Sequence, residues 1–447
     1  MDIFIKIVQL LLSLSILIVF HELGHFLFAK LFKVRVEKFY LFFNPWFSLF
    51  KFRKGETEYG MGWLPFGGFV KIAGMIDESM DKEQMKKPAQ PWEFRSKPAW
   101  QRLLIMLGGV IVNVVLAFVI FIATLYTWGE TYLPAQNVRN GVVCDTLFSG
   151  IGIKNGDVVI SLDQVNVERF TDIVTDILLN NPKTIQVRRD SQIISLDIPE
   201  SFVANLLASS SKNMKTVSML LPRQLLDSIY VGDFADYSVA YDAGVRKGDK
   251  VLAVNGQNFR FYDELTDCLR NSADQPIDLR VLRGKDTLQL DFKLGTDGKL
   301  GIYFGSTEKL DVNTREFSFA EAIPAGINKG METITTYLKQ LKLIFSPKVE
   351  AYKSVGGMIM IGSVFPGVWD WQIFWELTAL ISIMLAVVNI LPIPALDGGH
   401  ALFTLYEMIT RRKPGEKFME YAQITGMVII LGLFILANVN DIMRFFN

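Results

Sequence analysis

His21, Glu22 and His25 stand together in IVFHELGHFLFAK, residues 18–30, one of the most apolar stretches of the chain. On a helix each residue turns by about 100°. His21 and His25 therefore project from one face, one turn apart, with Glu22 displaced beside them. In H-E-x-x-H both imidazoles can hold one zinc ion while the glutamate stays off the metal and acts on its water. The metal makes that water acidic near neutrality, and a carboxylate in reach takes the proton and later delivers it to a leaving amine. That is peptide hydrolysis without a covalent intermediate. The pattern is short and also occurs on exposed helix faces. Here it interrupts an apolar stretch, where ionisable side chains are costly and mark function.

A catalytic zinc usually keeps three protein ligands and one open position. Two histidines leave one ligand to find. The other apolar stretch with odd polar residues is AVVNILPIPALDGGHALF, residues 386–403. Pro392 and Pro394 break a helix there, which membranes tolerate only where the freed backbone is protein-buried or lines a cavity. Asp397 is then a candidate third ligand, with a helix N-cap in a cytoplasmic turn as the other reading. His400 is the last of only three histidines. It is expected in the turn beyond Gly398 and Gly399, in a supporting role rather than as a ligand.

These residues need elements to carry them. A membrane helix takes about 20 mostly apolar residues. Four stretches qualify, at about 3–32, 103–126, 373–394 and 424–443. The first reads as a retained helix rather than a signal peptide, because no small-residue cleavage site precedes the histidines. Basic residues crowd the segment between the first two stretches (Lys30, Lys33, Arg35, Lys51, Arg53, Lys54) and the turn before the fourth (Arg411, Arg412, Lys413, Lys417). By the positive-inside rule both are cytoplasmic, and the 128–372 region faces the other side. His21 and Asp397 then reach similar depth. The whole chain has 46 basic and 46 acidic residues, so no charge bias points to nucleic acid. Half of its residues are hydrophobic and 34 are Phe, which suits membrane segments joined to soluble domains.

The 128–372 region contains a repeat. GIKNGDVVISLDQ (152–164) aligns with GVRKGDKVLAVNG (244–256), and each copy runs on to a strand pair. The pattern resembles PDZ domains, more clearly in the second copy, because Asp163-Gln164 replaces Asn255-Gly256 in the first. PDZ domains take extended peptides by strand addition; a mere spacer is the other reading. Downstream, Phe319, Ile323, Ile327, Met331, Ile334, Leu338, Leu341 and Phe345 recur at helical spacing. This amphipathic helix either lies on the outer membrane surface or packs on the soluble region. Cys144 and Cys268 read as unpaired, partly buried thiols.

HELGH at 21–25 and NILPIPALDGGH at 389–400, which fits N-x-x-P-x-P-x-L-D-G, resemble the site-2 protease family of intramembrane zinc metalloproteases. LPFGGFVKIAGM (64–75) and SKPAWQRLLIMLGGVIVNVVLAF (96–118) also look like that family. The resemblance is strongest to its bacterial members with tandem PDZ-like domains that serve the sigma-E stress response. It implies Zn2+ held by His21, His25 and Asp397, with Glu22 as general base. Asn389 would contact substrate backbone near the scissile bond, with Gly67, Gly68, Pro392 and Pro394 also at the substrate. Asn113 would lie where small and polar residues let helices approach closely.

The implied fold is a multi-pass α-helical membrane protein with four transmembrane helices, a membrane-reentrant β-hairpin and two inserted PDZ-like α+β domains. Its expected layout is a first membrane helix at 1–32, then a cytoplasmic loop at 33–97 with the reentrant element at about 58–75. A second helix at 98–127 leads to PDZ-like domains at 128–221 and 222–309 and an interfacial helical segment at 310–365. The third helix at 370–400, a cytoplasmic loop at 401–422 and a fourth helix at 423–447 complete it. The segment EYGMGWLPFGGFVKI (58–72) reads as the hairpin, either reentrant and holding an unwound substrate extended or simply cytoplasmic. Implied substrates are single-pass membrane proteins of the anti-sigma-factor type and remnant signal peptides. The implied location is a bacterial inner membrane, with PDZ-like domains periplasmic and the zinc site near the cytoplasmic side. A catalytically dead membrane PDZ receptor or chaperone is the rival reading. A metal transporter is disfavoured by the scarcity of further intramembrane ligands.

Overall fold

The computed structural model describes residues 2–75, 88–212, 220–306, 310–344 and 356–446. The chain divides into two compact units. One joins Met1–Glu130 to Glu316–Asn447, and the other is Thr131–Arg315.

Four helices of the first unit are long and apolar enough to cross a membrane: Asp2–Leu31, Ala99–Trp128, Trp371–Ile390 and, within Glu416–Phe446, the stretch Lys417–Met443. The first two meet backbone to backbone. A Cβ on Gly24 would strike the carbonyl of Gly108, and one on Gly108 would stand 2.7 Å from the Gly24 oxygen. Small residues let helices approach in this way where lipid supplies no hydrophobic drive. Buried hydroxyls tie the third helix to both. Thr378 Oγ1 donates to Ser13 Oγ at 3.0 Å, and Ser382 Oγ to the Asn113 carbonyl at 2.8 Å. Such bonds average about 0.6 kcal/mol each, so close packing carries most of the association.

The third helix stops at Ile390, because Pro392 and Pro394 supply no N–H. The chain turns and starts a separate helix at Asp397–Thr410. Gly398 and Gly399 make the turn possible. A Cβ on either would overlap the carbonyls of Ile390 or Ile393. The loop expected at 401–422 is therefore corrected. Helix fills its first half, Arg411 ends that helix at φ 57°, and the fourth long helix begins at Glu416. His400 sits on the first turn of that helix together with Gly398 and Gly399, rather than in a turn beyond the two glycines.

The expected hairpin at 58–72 is also corrected. Strands β1 (Val36–Phe43), β2 (Phe50–Lys54), β3 (Thr57–Met61) and β4 (Leu64–Ile72) form one sheet in the order β2-β3-β1-β4. β3 and β4 do not pair. β1 lies between them, parallel to β3 and antiparallel to β4, with Leu41 opposite Gly68. The true hairpin is β2–β3, closed between Lys54 and Thr57. Alternation identifies a strand but not its partner. Gly62, between β3 and β4 in the chain, donates its N–H to Leu41 O of β1 at 2.8 Å.

The helix Phe319–Ile344 lies in the first unit and follows neither expected arrangement. It buries Ala322, Gly326 and Gly330, and a Cβ on the two glycines would meet Ile122 and Phe118 of the second long helix. It therefore runs antiparallel along that helix. Ile334 and Leu341 of the expected apolar face pack against the bundle, whereas Phe319, Ile323, Ile327, Met331 and Leu338 stay exposed. Phe345 lies outside the described residues. Periodicity finds the stripe of large apolar residues, but among apolar helices it is the small stripe that makes contact.

In the second unit the repeat holds at atomic level. Each copy forms a four-stranded sheet with the same order of corresponding strands. In the first, Arg189 binds Asp157 Oδ1 at 2.7 Å and the Gly152 carbonyl at 2.8 Å. In the second, Arg283 binds Asp249 Oδ1 at 2.8 Å and the Gly244 carbonyl at 2.7 Å. Burial disfavours ionised Asp249, but the Arg283 hydrogen bond, the Arg246 backbone N–H and the charges of both arginines together outweigh it and hold that carboxyl below its ordinary range. The turns Asp163-Gln164 and Asn255-Gly256 both have positive φ at both positions, so their sequence difference leaves the geometry alike. Cys144 and Cys268 are free and partly buried.

Candidate metal centre

The first long helix places His21 and His25 one turn apart, and the break after Ile390 delivers Asp397 opposite them. His21 Nε2 lies 3.2 Å from Asp397 Oδ2, His25 Nε2 lies 3.4 Å from it, and the two Nε2 atoms are 3.4 Å apart. Among the described residues this is the one cluster of three such side chains with metal-ligating spacing. Zinc–nitrogen and zinc–oxygen bonds of 2.0–2.1 Å in a tetrahedron separate neighbouring ligand atoms by about 3.3–3.4 Å. The triangle matches one face of that tetrahedron. Asp397 Oδ2 is buried and accepts no hydrogen bond. Three lone-pair donors facing one buried point are satisfied by a cation, and two imidazoles with one carboxylate suit zinc.

Neighbours orient these ligands. His25 Nδ1 donates to the carbonyl of Ile105 at 2.8 Å, which leaves its Nε2 lone pair facing the centre. Asn113 is fully buried, with its amide nitrogen 3.3 Å from His21 Nδ1 and its oxygen without a partner. A half-turn of the carboxamide would put its oxygen, an acceptor, against His21 Nδ1. Oδ1 then accepts the proton of His21 Nδ1, and Nε2 is free to ligate. In that orientation Asn113 would hold His21 in its ligating tautomer. Asn113→Leu is expected to weaken zinc binding by about 10- to 100-fold, read by competition with a fluorescent chelator. Unchanged affinity would show that the amide does nothing for His21.

Three glycines were missed in the sequence. A Cβ on Gly109 would stand 2.6 Å from both His21 Cε1 and His25 Nε2. Gly109 is the back wall of the centre, and the contact of Gly24 with Gly108 brings it there. A glycine between the histidines and a Gly-Gly pair in the next apolar span were the signals.

β4 covers the side that carries Glu22. A Cβ on Gly68 would lie 3.2 Å from Glu22 Cγ and 2.7 Å from Ile18 Cγ2. Gly67 faces the ring of Phe43 instead. Asn389 and His400 are half-buried on the helices either side of the break, with Pro392 exposed and Pro394 half-buried between them. None of these four joins the ligand triangle.

Known proteins agree with this chemistry. A profile described as peptidase family M50 matches residues 9–433. A candidate zinc metalloprotease of Clostridium perfringens is 27% identical over 98% of both chains. Similar proteins, also described as candidate zinc metalloproteases, occur in Campylobacter jejuni (27%, covering 98% of this chain and 94% of the relative) and Vibrio cholerae (26%, 99% of each). The match to the family takes in both halves of the metal site and at least part of each of the four apolar helices, and the chain belongs to peptidase family M50, the site-2 proteases, as a zinc-dependent membrane metalloprotease.

Proposed function

We propose that the enzyme cuts the membrane-spanning segments of single-pass proteins, and that β4 presents them to the centre. The observation that carries this reading is Gly68 of β4 lying against Glu22, on a strand at the edge of its sheet. A transmembrane helix hides its carbonyls in hydrogen bonds and must unwind before attack. A sheet edge offers replacement bonds to the unwound chain. The absence of side chains at Gly67 and Gly68 lets that chain come close. Glu22 takes a proton from the attacking water and passes it to the leaving nitrogen. Asn389, beside the break at Leu391–Leu396, holds substrate backbone. When bound by His21, His25 and Asp397, zinc polarises the scissile carbonyl and acidifies water.

The expected substrates are an anti-sigma factor already trimmed on the outer side and remnant signal peptides, in a bacterial inner membrane. The two repeats of the second unit would be PDZ-like domains on the periplasmic side that admit only trimmed substrates. Their matching strand order and paired Arg–Asp clips support a shared domain type. The zinc centre would lie near the cytoplasmic face. Deleting residues 131–315 is expected to raise cleavage of untrimmed substrate at least about tenfold while trimmed substrate is cut as before, a difference of at least 1.4 kcal/mol in selection. Immunoblots of both substrates in cells read this out. Continued rejection of the untrimmed form by the shortened enzyme would end the filter reading.

A further inference from the structure

A second cavity includes His400 in its lining but none of the three candidate ligands. It has a volume of about 390 Å³ and opens between the start of the second long helix, the helix Asp397–Thr410 and the start of the fourth. Its charged lining is Arg95, Arg102 and Lys413 against one carboxylate, Glu407. Arg102 and Glu407 pair with each other, and Arg95 bonds Glu93 at 2.6 Å. Lys413 has no ion-pair partner among the described residues. The rest of the wall is apolar, with Met106, Phe403 and Met419.

We infer that this cavity binds the phosphodiester headgroup of an anionic phospholipid, with an acyl chain along its apolar wall. Three features favour that ligand. The lining carries net positive charge around a pocket of headgroup size. The cavity sits at the ends of helices that bear the basic loops, where the positive-inside rule puts the anionic leaflet surface. Lys413, Pro414 and Gly415 of its lining belong to the segment Arg411–Lys417, which has four basic residues in seven positions, a cluster of the kind that attracts anionic lipid next to a membrane helix. A soluble phosphate would share the charge but not use the apolar wall. One wall is the helix whose first turn carries Asp397, so occupancy bears on the placement of that carboxylate.

The full-length enzyme in mild detergent tests this by native mass spectrometry, with phosphatidylglycerol or phosphatidylethanolamine of matched chains. We expect one phosphatidylglycerol retained, at least about tenfold over the zwitterionic lipid, and no displacement by millimolar inorganic phosphate. Lys413→Gln should cut retention several-fold. Gly415→Trp should abolish it by filling the cavity, because a Cβ there meets nothing within 4 Å. Zinc content reports whether both variants are folded. Arg412→Gln, in the same turn but outside the lining, should retain the lipid. Equal retention of the two lipids overturns the proposal. So does an Arg412→Gln loss as large as that of Lys413→Gln, which would mean diffuse attraction, or displacement by phosphate, which would mean a solution anion.

Discussion

Glu22→Gln is expected to lower cleavage of a model transmembrane substrate by about 10²- to 10⁴-fold, the range for loss of a general acid–base group, with zinc content unchanged. The substitution keeps the shape of the side chain, which matters because β4 covers it closely at Gly68. It leaves His21, His25 and Asp397 untouched. What disappears is the ability to take a proton from water and hand it to the leaving nitrogen. Single-turnover cleavage in detergent measures the loss, and elemental analysis measures the metal. Glu22→Asp should fall between the two, because the carboxylate survives but is withdrawn by one methylene. A glutamine variant that cleaves within a few-fold of the parent would remove Glu22 from the chemistry and leave proton transfer to another group.

Much of that site is legible in the sequence. Two ligands four residues apart are a local pattern, and helical geometry alone puts them on one face. Asp397 is 372 positions from His25, yet its helix break and Gly-Gly pair mark it as unusual. The balance of loop charges predicts similar depth for both segments without reference to the motifs. Less legible is anything decided by a distant partner. β1 looks like part of a basic loop, and only the folded sheet shows it inserted between β3 and β4. The helix Phe319–Ile344 displays an apolar stripe that the bundle largely ignores, since large side chains can remain at an apolar surface while Gly326 and Gly330 make the contact. The helix after Asp397 was hidden by its neighbours: two prolines and two glycines signal a turn, and its residues alternate in no simple way.

The glycines behind the metal make the strongest case for non-local control. In an isolated helix Gly109→Ala should stabilise by about 1 kcal/mol, because alanine restricts the unfolded chain. Here the new Cβ would stand 2.6 Å from His21 Cε1 and His25 Nε2, and 2.7 Å from His21 Nδ1. Something must move. If the second long helix retreats, the Gly24–Gly108 contact opens and Asn113 leaves His21. If the imidazoles turn instead, His25 loses its 2.8 Å bond to Ile105 O and the Nε2 atoms no longer face Asp397. Both routes spoil the ligand triangle, so zinc affinity should fall by at least the 10- to 100-fold (about 1.4–2.7 kcal/mol) typical of losing ligand support. Cleavage at limiting zinc should fall with it, and excess zinc should restore part of it. Gly432→Ala is the matched control, a helical glycine with nothing within 4 Å of the added atom. It should leave zinc binding and cleavage unchanged. Equal zinc affinity in Gly109→Ala and Gly432→Ala would mean the two helices yield at little cost. The triangle would then be held by the ligands themselves rather than by the spacing that Gly24, Gly108 and Gly109 impose.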